Sequence, residues 1–201
     1  MGGTANTPAE AATTSMRYKV ETKNQSYTAA TSGGYTTGDR TSSILVTTNI
    51  SLDGGTINNF VDGAINHTNA DGFYWSGGQN PSGWYVQFDF LSSKVISESK
   101  LYTYADGDVH GTWRWQATDD TSGSWTNIGN TFILQGASAG STSHGVSTQL
   151  NGNTTAYRYY RLLGVSGSTM NNYFKEIEFK TAATPASGKV TRIHGTSLAW
   201  K

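Results

Sequence analysis

The chain has 201 residues, with 24 Gly, no Cys, and 14 basic against 14 acidic residues. Because phosphate binding needs clustered Lys and Arg, the balanced charge and the lack of a basic run exclude nucleic acid as the main partner. No apolar stretch approaches the ~18 residues of a membrane-spanning helix, so membrane insertion is not expected. The absence of Cys excludes a disulfide framework, and a content of 12% aromatic residues excludes a wholly disordered chain.

Three zones of different composition follow one another along the chain. Residues 1–15 are small and polar without periodicity, which predicts a flexible N-terminal arm. They also lack the basic and apolar regions of an export signal. Residues 16–180 hold almost all the large apolar side chains, enough for one domain with its own core. Residues 181–201 begin with the linker-like TAATPASG and end in a short strand-like tail.

Most of the middle zone shows the period-two alternation of β-strands, and almost none of it shows helical periodicity. In the segment 84–90, for example, Val86 and Phe88 alternate with Gln87 and Asp89. Clusters of Gly, Asn, Asp and Ser separate such segments, and many short strands between turns indicate an all-β sandwich or barrel. In chain order, the strand candidates are residues 16–21, 43–47, 84–90, 95–104, 112–117, 131–134, 157–163 and 174–179, with one short helical turn near 56–62.

Two local features add detail to the predicted strands. The turn-forming Asp, Ser and Gly residues in 119–123 predict a tight connection between two strands. Arg161 lies between the apolar Tyr160 and Leu162, so its side chain is expected on the opposite side of the strand. A guanidinium there needs a carboxylate or carbonyl partner, and Asp89 is the expected one.

Five sequence pieces follow one another in a specific order. They are NFVDG at 59–63, GWYVQFDF at 83–90, WRWQATDD at 113–120 with SWTNI at 124–128, YYRL at 159–162, and FKEIEF at 174–179. This succession resembles the discoidin family, also called the factor V/VIII type C domain, which overlaps with the family 32 carbohydrate-binding modules. The resemblance covers residues 16–180 and implies a discoidin-like jelly-roll β-sandwich of about eight main strands. It also implies ligand binding through loops at one end, without catalysis in most members.

The residues of the chain do not point to an enzyme. Nucleophilic catalysis needs a Ser or Cys nucleophile with a His base and an orienting acid within hydrogen-bond reach, and the chain has no Cys. All four histidines, His110 among them, lie in polar surroundings that are typical of exposed loops. Asp106 and Asp108, like the acidic pair at 119–120, fall in apparent turns, where Asp is common for backbone reasons. We therefore expect a protein that is not an enzyme.

The resemblance also implies a site for structural Ca²⁺. In the carbohydrate-binding branch, an Asp-Gly turn and the Glu of the closing strand supply oxygen ligands, which Ca²⁺ prefers. The residues that match these elements are Asp62, Thr68 and Glu176. The loop between Asp62 and Trp75 is longer here than in the family pattern. The alternative therefore stays open that Asp62 only caps its turn.

Sugar binding uses an aromatic ring against the apolar face of a pyranose, with a few fixed polar groups around it. Four loops, at 71–80, 105–111, 138–145 and 166–173, contain such side chains. They hold almost no Lys or Arg, which disfavours recognition of anionic lipids. The candidate ligand-binding residues are Tyr74, Asp106, Asp108, His110, Trp113, Asn171, Asn172 and Tyr173.

Tryptophans on strand patterns are expected in the core rather than at the ligand face. Trp84, Trp115 and Trp125 belong to this group. For Trp75 and Trp113 both positions stay open. Among the tyrosines, Tyr173 lies in an Asn-rich loop and is the strongest candidate for an exposed ring.

Three segments, 35–40, 74–78 and the closing 189–201, are similar to parts of phage virion proteins. We therefore expect a virion surface protein, made in the host cytoplasm, that binds cell-surface carbohydrate as a capsid fibre, decoration protein or tail adhesin. The arm and the tail are expected to bind other virion proteins or further copies of the chain. Two alternatives stay open: a cellular carbohydrate-binding module, and a purely structural virion protein without a glycan ligand.

Overall fold

The computed structural model describes residues 25–27, 38–65, 72–104, 109–135, 145–150, 152–170 and 173–182. Within these ranges the chain forms nine strands and two short 3₁₀ helices, Ile57–Val61 and Thr148–Leu150. None of the helices described is long and apolar enough to cross a membrane. The strands are β1 (Gln25–Tyr27), β2 (Leu45–Thr48), β3 (Tyr85–Lys94), β4 (Ile96–Thr103), β5 (Val109–Thr118), β6 (Thr126–Gln135), β7 (Gly145–Ser147), β8 (Tyr157–Ser166) and β9 (Phe174–Ala182).

The strands form two antiparallel sheets. The four-stranded sheet has the order β1-β9-β4-β7, and the five-stranded sheet has the order β2-β3-β8-β5-β6. Side chains from both sheets enter one hydrophobic core. The molecule is therefore a β-sandwich, and the predicted all-β class is confirmed.

Alternating side chains explain which face of each strand meets the core. On β3, Val86, Phe88 and Phe90 are buried, whereas Tyr85 and Gln87 are partly exposed on the opposite face. The need to bury this face also fixes the register in which the strands pair. A slip of one residue would turn every apolar side chain of the strand toward solvent.

Aromatic rings join the two sheets across the core. The Phe88 ring of β3 lies 4.9 Å from the Phe179 ring of β9, measured between centroids. It also lies 6.1 Å from Trp115 on β5 and 5.9 Å from Phe60 on the first 3₁₀ helix. Edge-to-face and tilted contacts of this kind are the favoured arrangements of aromatic pairs. Phe88 therefore contacts both sheets and the helical turn between β2 and β3.

The predicted elements from residue 43 onward are found, some with longer and some with shorter bounds. All the strand candidates from residue 43 onward correspond to strands, and the helical turn expected near 56–62 is the 3₁₀ helix Ile57–Val61. β9 continues to Ala182, past the predicted domain end at 180. The candidate 16–21 and the expected arm lie outside the described residues. β1 and β7 were not predicted, because a strand of three residues carries too little alternation to be recognised.

The connection between β5 and β6 is the tight turn that the sequence predicts. The carboxylate Oδ1 of Asp120 accepts hydrogen bonds from the backbone N–H of Ser122 at 2.9 Å and from its hydroxyl at 2.7 Å. These contacts make an Asx-type turn, which closes the hairpin. The same two hydrogen bonds lower the pKa of Asp120.

The predicted pairing of Arg161 with Asp89 is wrong. Asp89 instead binds Arg158 through two bonds of 2.8 Å each, and these bonds lower the pKa of Asp89. Arg161 donates from Nε to the Gln116 side chain at 2.8 Å. The register explains the difference, because the residue opposite Arg161 on β3 is Gln87 rather than Asp89.

The tryptophans expected in the core divide into two groups. Trp115 is fully buried, as predicted. Trp84 packs against the core but stays partly exposed. Trp125 is also partly exposed, and its ring centroid lies 4.0 Å from the guanidinium carbon of Arg161. Trp125 therefore stacks on a cation at the outer face of the sheet.

Truncation of Phe88 to Ala should lower the free energy of unfolding by about 3–5 kcal/mol, because it leaves a cavity between the sheets. Urea denaturation followed by Trp fluorescence measures this loss. Leu45→Ala on the neighbouring β2 is the matched control, since Leu45 is 49% exposed. It should change the stability by less than about 1 kcal/mol. Equal losses in the two variants would contradict the assignment of Phe88 to the core.

Candidate functional site

Three tyrosines gather where β4 ends and β9 begins. Tyr104 follows β4 directly, Tyr173 precedes β9, and Tyr74 belongs to the segment 72–80. The ring centroids of Tyr74 and Tyr173 are 4.6 Å apart, and those of Tyr104 and Tyr173 are 6.5 Å apart. Tyr104 is 46% exposed, and the other two are partly exposed. We call these three residues the tyrosine cluster.

Backbone alternation turns two of these rings away from the core. Phe73 and Trp75 on either side of Tyr74 are buried, so Tyr74 faces the other way. The backbone N–H of Phe73 donates to the carbonyl of Phe174 at 3.0 Å, and the N–H of Phe174 donates back at 2.7 Å. Because Phe174 is buried, the preceding Tyr173 faces the same surface as Tyr74.

Further backbone contacts fix the positions of the rings. The N–H of Tyr104 donates to the carbonyl of Tyr173 at 2.8 Å. The N–H of Tyr74 donates to the Gly54 carbonyl at 3.1 Å, and the Tyr74 carbonyl accepts from the backbone N–H of Asp53 at 3.0 Å. A Cβ on Gly54 would lie 2.5 Å from the Tyr74 ring, so the ring needs a glycine at this position. The tyrosine cluster is thus built on backbone from distant parts of the chain.

The ammonium group of Lys175 lies beside the tyrosine cluster. Its Nζ is 5.0 Å from the centroid of the Tyr173 ring and 5.7 Å from that of Tyr104. The side chain of Lys175 is buried, which strengthens cation–π attraction because water does not compete for the charge. Lys175 therefore helps to hold the two rings in their relative positions.

Polar groups border the cluster on the side of Tyr74. The neighbouring Tyr173 raises the pKa of Tyr74, and desolvation and the Asp53 carboxylate add to this effect. The Asp53 carboxylate also accepts a hydrogen bond from the Ser76 hydroxyl. Tyr74 is therefore a neutral phenol at physiological pH, and its hydroxyl can both donate and accept.

The structure brings together two of the predicted ligand-binding residues, Tyr74 and Tyr173. Sequence reasoning missed Tyr104, because this residue ends an apolar strand pattern. The available signal was its position directly before the candidate loop 105–111. The predicted residues outside the described part of the chain are Asp106, Asp108, Asn171 and Asn172.

The structure corrects the predicted ligand-binding role of His110 and Trp113, since both are buried in the core. The His110 ring centroid lies 4.4 Å from that of Phe174 and 6.0 Å from that of Trp75, which is buried as well. A bulge at Gly111, with a φ of 87°, shifts the alternation of β5. His110 and Trp113 therefore share the inner face of the strand and present no ring to a ligand.

The carboxylate of Glu176, expected as a Ca²⁺ ligand, is bound by other groups of the protein. Its Oε2 accepts from the Gly63 N–H at 2.6 Å, and its Oε1 accepts from the Ile177 N–H at 3.1 Å. The same Oε1 forms a buried ion pair with Nη2 of Arg40. Burial lowers the pKa of Arg40 to about 10, against the opposing effect of nearby carboxylates, so Arg40 carries its charge at neutral pH.

The other expected Ca²⁺ ligands add no further support for a metal. Oδ1 of Asp62 accepts from the Ala64 N–H at 2.8 Å, so Asp62 caps its own turn. Thr68 lies outside the described residues. Within those residues, no three His or acidic side chains gather at a place that would hold a metal ion. As arranged here, Asp62 and Glu176 do not fit a Ca²⁺ site.

A shallow groove of about 330 Å³ lies on other elements of the fold, at the start of β6 and the loop before β8. None of its lining residues is charged, and only Tyr157 contributes a ring. The groove therefore offers a ligand less aromatic surface than the tyrosine cluster. Its lining residues are Thr126, Asn127, Ile128, Gly129, Gly152, Asn153, Thr154, Thr155 and Tyr157.

Comparisons with known proteins identify the fold. No family model matches the sequence. No curated protein matches it either. Among solved structures, the chain is similar to the family 32 carbohydrate-binding module of Clostridium perfringens NanJ in complex with galactose. The TM-score is 0.50 and the identity 11%, over 77% of this chain and 98% of that chain.

A second similar structure is truncated AlyQ, which contains a family 32 module and an alginate lyase domain. The TM-score is 0.50 and the identity 20%, over 81% of this chain and 35% of that chain. The present chain therefore spans about a third of that protein, in which the module is joined to an enzyme. The fold is the jelly-roll β-sandwich of discoidin-like, family 32 carbohydrate-binding modules, as the sequence predicts.

The stability of the domain should fall as the pH drops from about 6.5 to about 4. Burial lowers the pKa of His110 to about 4, with the Met170 backbone opposing part of the change. The unfolded chain binds this proton near pH 6.5 and the folded chain binds it only near pH 4, so acid favours unfolding by up to about 3 kcal/mol.

Urea denaturation of the wild type and of His110→Phe, at neutral pH and near pH 4.5, measures this effect. The variant keeps an aromatic ring beside Phe174 but cannot take up a proton. Its stability should therefore fall less between the two pH values than that of the wild type. An identical fall in both proteins would contradict the role assigned to His110.

Proposed function

We propose that the chain is a non-catalytic carbohydrate-binding domain and that the tyrosine cluster is its ligand site. The observation that carries this proposal is the meeting of Tyr74, Tyr104 and Tyr173, from segments distant in sequence, on one partly exposed surface. Aromatic surface that a soluble domain leaves accessible is typical of a binding site. The similarity of the fold to a module solved with galactose supports the same function.

The chemistry of the cluster suits a sugar ring. A pyranose has an apolar C–H face, which packs against an aromatic ring, and hydroxyl groups at its edge, which need hydrogen-bond partners. The tyrosine rings supply the first, and their hydroxyls and the Asp53 carboxylate supply the second. Backbone bonds hold the rings in place, so binding orders few groups and loses little conformational entropy.

We place this domain on the surface of a phage particle, as a fibre, decoration protein or tail adhesin. This part of the proposal rests on the resemblance, read from the sequence alone, of segments 35–40, 74–78 and 189–201 to parts of phage virion proteins. Binding of one sugar by one small surface is weak, and many copies on a particle raise the avidity ~10²–10⁴-fold. Mass spectrometry of purified particles tests the placement. Absence of the chain from them would favour the cellular module.

Replacement of Tyr104 or Tyr173 by Ala should weaken glycan binding at least about tenfold, because each variant lacks one of the aromatic rings that contact the sugar. The measurement is binding of multivalently presented protein to an array of glycans and bacterial polysaccharides, followed by calorimetry with the best ligand. Tyr104→Ala is the cleaner variant, since its exposed side chain contributes little to folding.

Two control variants make this result specific. Tyr85→Ala removes a partly exposed tyrosine from the outer face of β3 and should bind as the wild type does. Tyr157→Ala removes the ring of the groove and should also bind normally. Loss of binding in Tyr157→Ala alone would move the site to the groove. A blank array with folded wild-type protein would contradict carbohydrate binding and favour the purely structural virion protein.

A further inference from the structure

The cation that pairs with Glu176 is the guanidinium of Arg40, a residue of the chain itself. Arg40 is only 5% exposed, and its guanidinium donates from Nη1 to the Ile177 carbonyl at 3.0 Å and from Nε to the Gly38 carbonyl at 3.3 Å. Its Nη2 binds the Glu176 carboxylate. The guanidinium thus lies among oxygens contributed by β9 and by the segment before β2. A set of carboxylate and carbonyl oxygens around one positive charge is what a hard metal ion also requires.

The backbone fixes Arg40 at this place. Its N–H donates to the Val61 carbonyl at 2.9 Å. Its carbonyl accepts from the N–H groups of Ser43 at 2.9 Å and Ile44 at 2.8 Å. Glu176 in turn accepts from the Gly63 N–H. The ion pair therefore ties the Asp-Gly turn to the closing strand, which are the two elements that the sequence resemblance assigns to a Ca²⁺ site.

Electrostatic repulsion prevents the Arg40 guanidinium and a Ca²⁺ ion from occupying the same position. An arginine side chain does not give up its proton in a protein, so Arg40 stays charged. A divalent ion close to a buried guanidinium would be repelled strongly, because little water screens the charges. The Glu176 oxygens are also already within bonding reach of Arg40 and two N–H groups. A metal ion would have to displace these contacts.

We infer that the guanidinium of Arg40 takes the place of a structural Ca²⁺ in this fold, so that the Asp62–Glu176 region is stable without a metal. Removal of Arg40 leaves a buried carboxylate without its cation, which is among the most destabilising single changes. The stability of the domain therefore depends on Arg40 and not on calcium.

The test is thermal unfolding of the wild type in EDTA and in millimolar Ca²⁺. The midpoint should differ by less than about 1 °C, since a ligand stabilises only a state that binds it. In EDTA, Arg40→Ala should unfold on the order of 10 °C lower than the wild type. If Arg40→Ala does not fold, Arg40→Lys is used, and its midpoint should still fall below that of the wild type, because a lysine cannot replace the forked contacts.

Asp62→Asn locates any effect of calcium, because the amide oxygen can keep the turn contact with Ala64 while the negative charge is lost. A Ca²⁺-dependent rise of the wild-type midpoint that Asp62→Asn abolishes would overturn the inference. A midpoint of the Arg40 variants equal to that of the wild type in EDTA would overturn it as well. An equal rise in wild type and Asp62→Asn would also count against the inference, because the domain would then gain stability from calcium bound elsewhere.

Discussion

The buried carboxylate of Glu176 on β9 is the constraint on which the rest of this structure depends. Phe174, Ile177 and Phe179 enter the core, while Glu176 is buried as well. A carboxylate in such a position is tolerated only with a cation and hydrogen bonds. Arg40 provides the cation, and the Gly63 N–H provides one of the bonds. Because these groups must meet, the Asp-Gly turn at 62–63, the strand β9 and the segment that leads into β2 are held in fixed positions relative to one another.

The same strand connects the core to the proposed binding surface. Phe174 stacks on Phe73 with ring centroids 5.3 Å apart and contacts Trp75 at 4.3 Å. Because neighbouring residues in extended backbone face opposite sides, Tyr74 and Tyr173 must then point away from the core and toward each other. The packing that stabilises the sandwich therefore also places the rings of the candidate site.

The sequence predicts those features that are determined by neighbouring residues, through the alternation of apolar side chains or through turn-forming residues. The strands after residue 43, the hairpin turn at 119–123, Tyr74 and Tyr173 belong here. The remainder depends on contacts between distant residues. The bulge at Gly111 buries His110 despite its polar neighbours, and Arg40 meets Glu176 only because the fold brings the two segments together. Neither feature leaves a signal in the flanking residues.

The central claim is that the tyrosine cluster binds carbohydrate. NMR spectra of protein with ¹³C-labelled tyrosine rings, titrated with the glycan that the wild type selects, test it most directly. The account predicts shifts of the ring signals of Tyr74, Tyr104 and Tyr173, with those of Tyr85 and Tyr159 on the outer sheet face unchanged. Shifts confined to the outer face, or to Tyr157 in the groove, would contradict it.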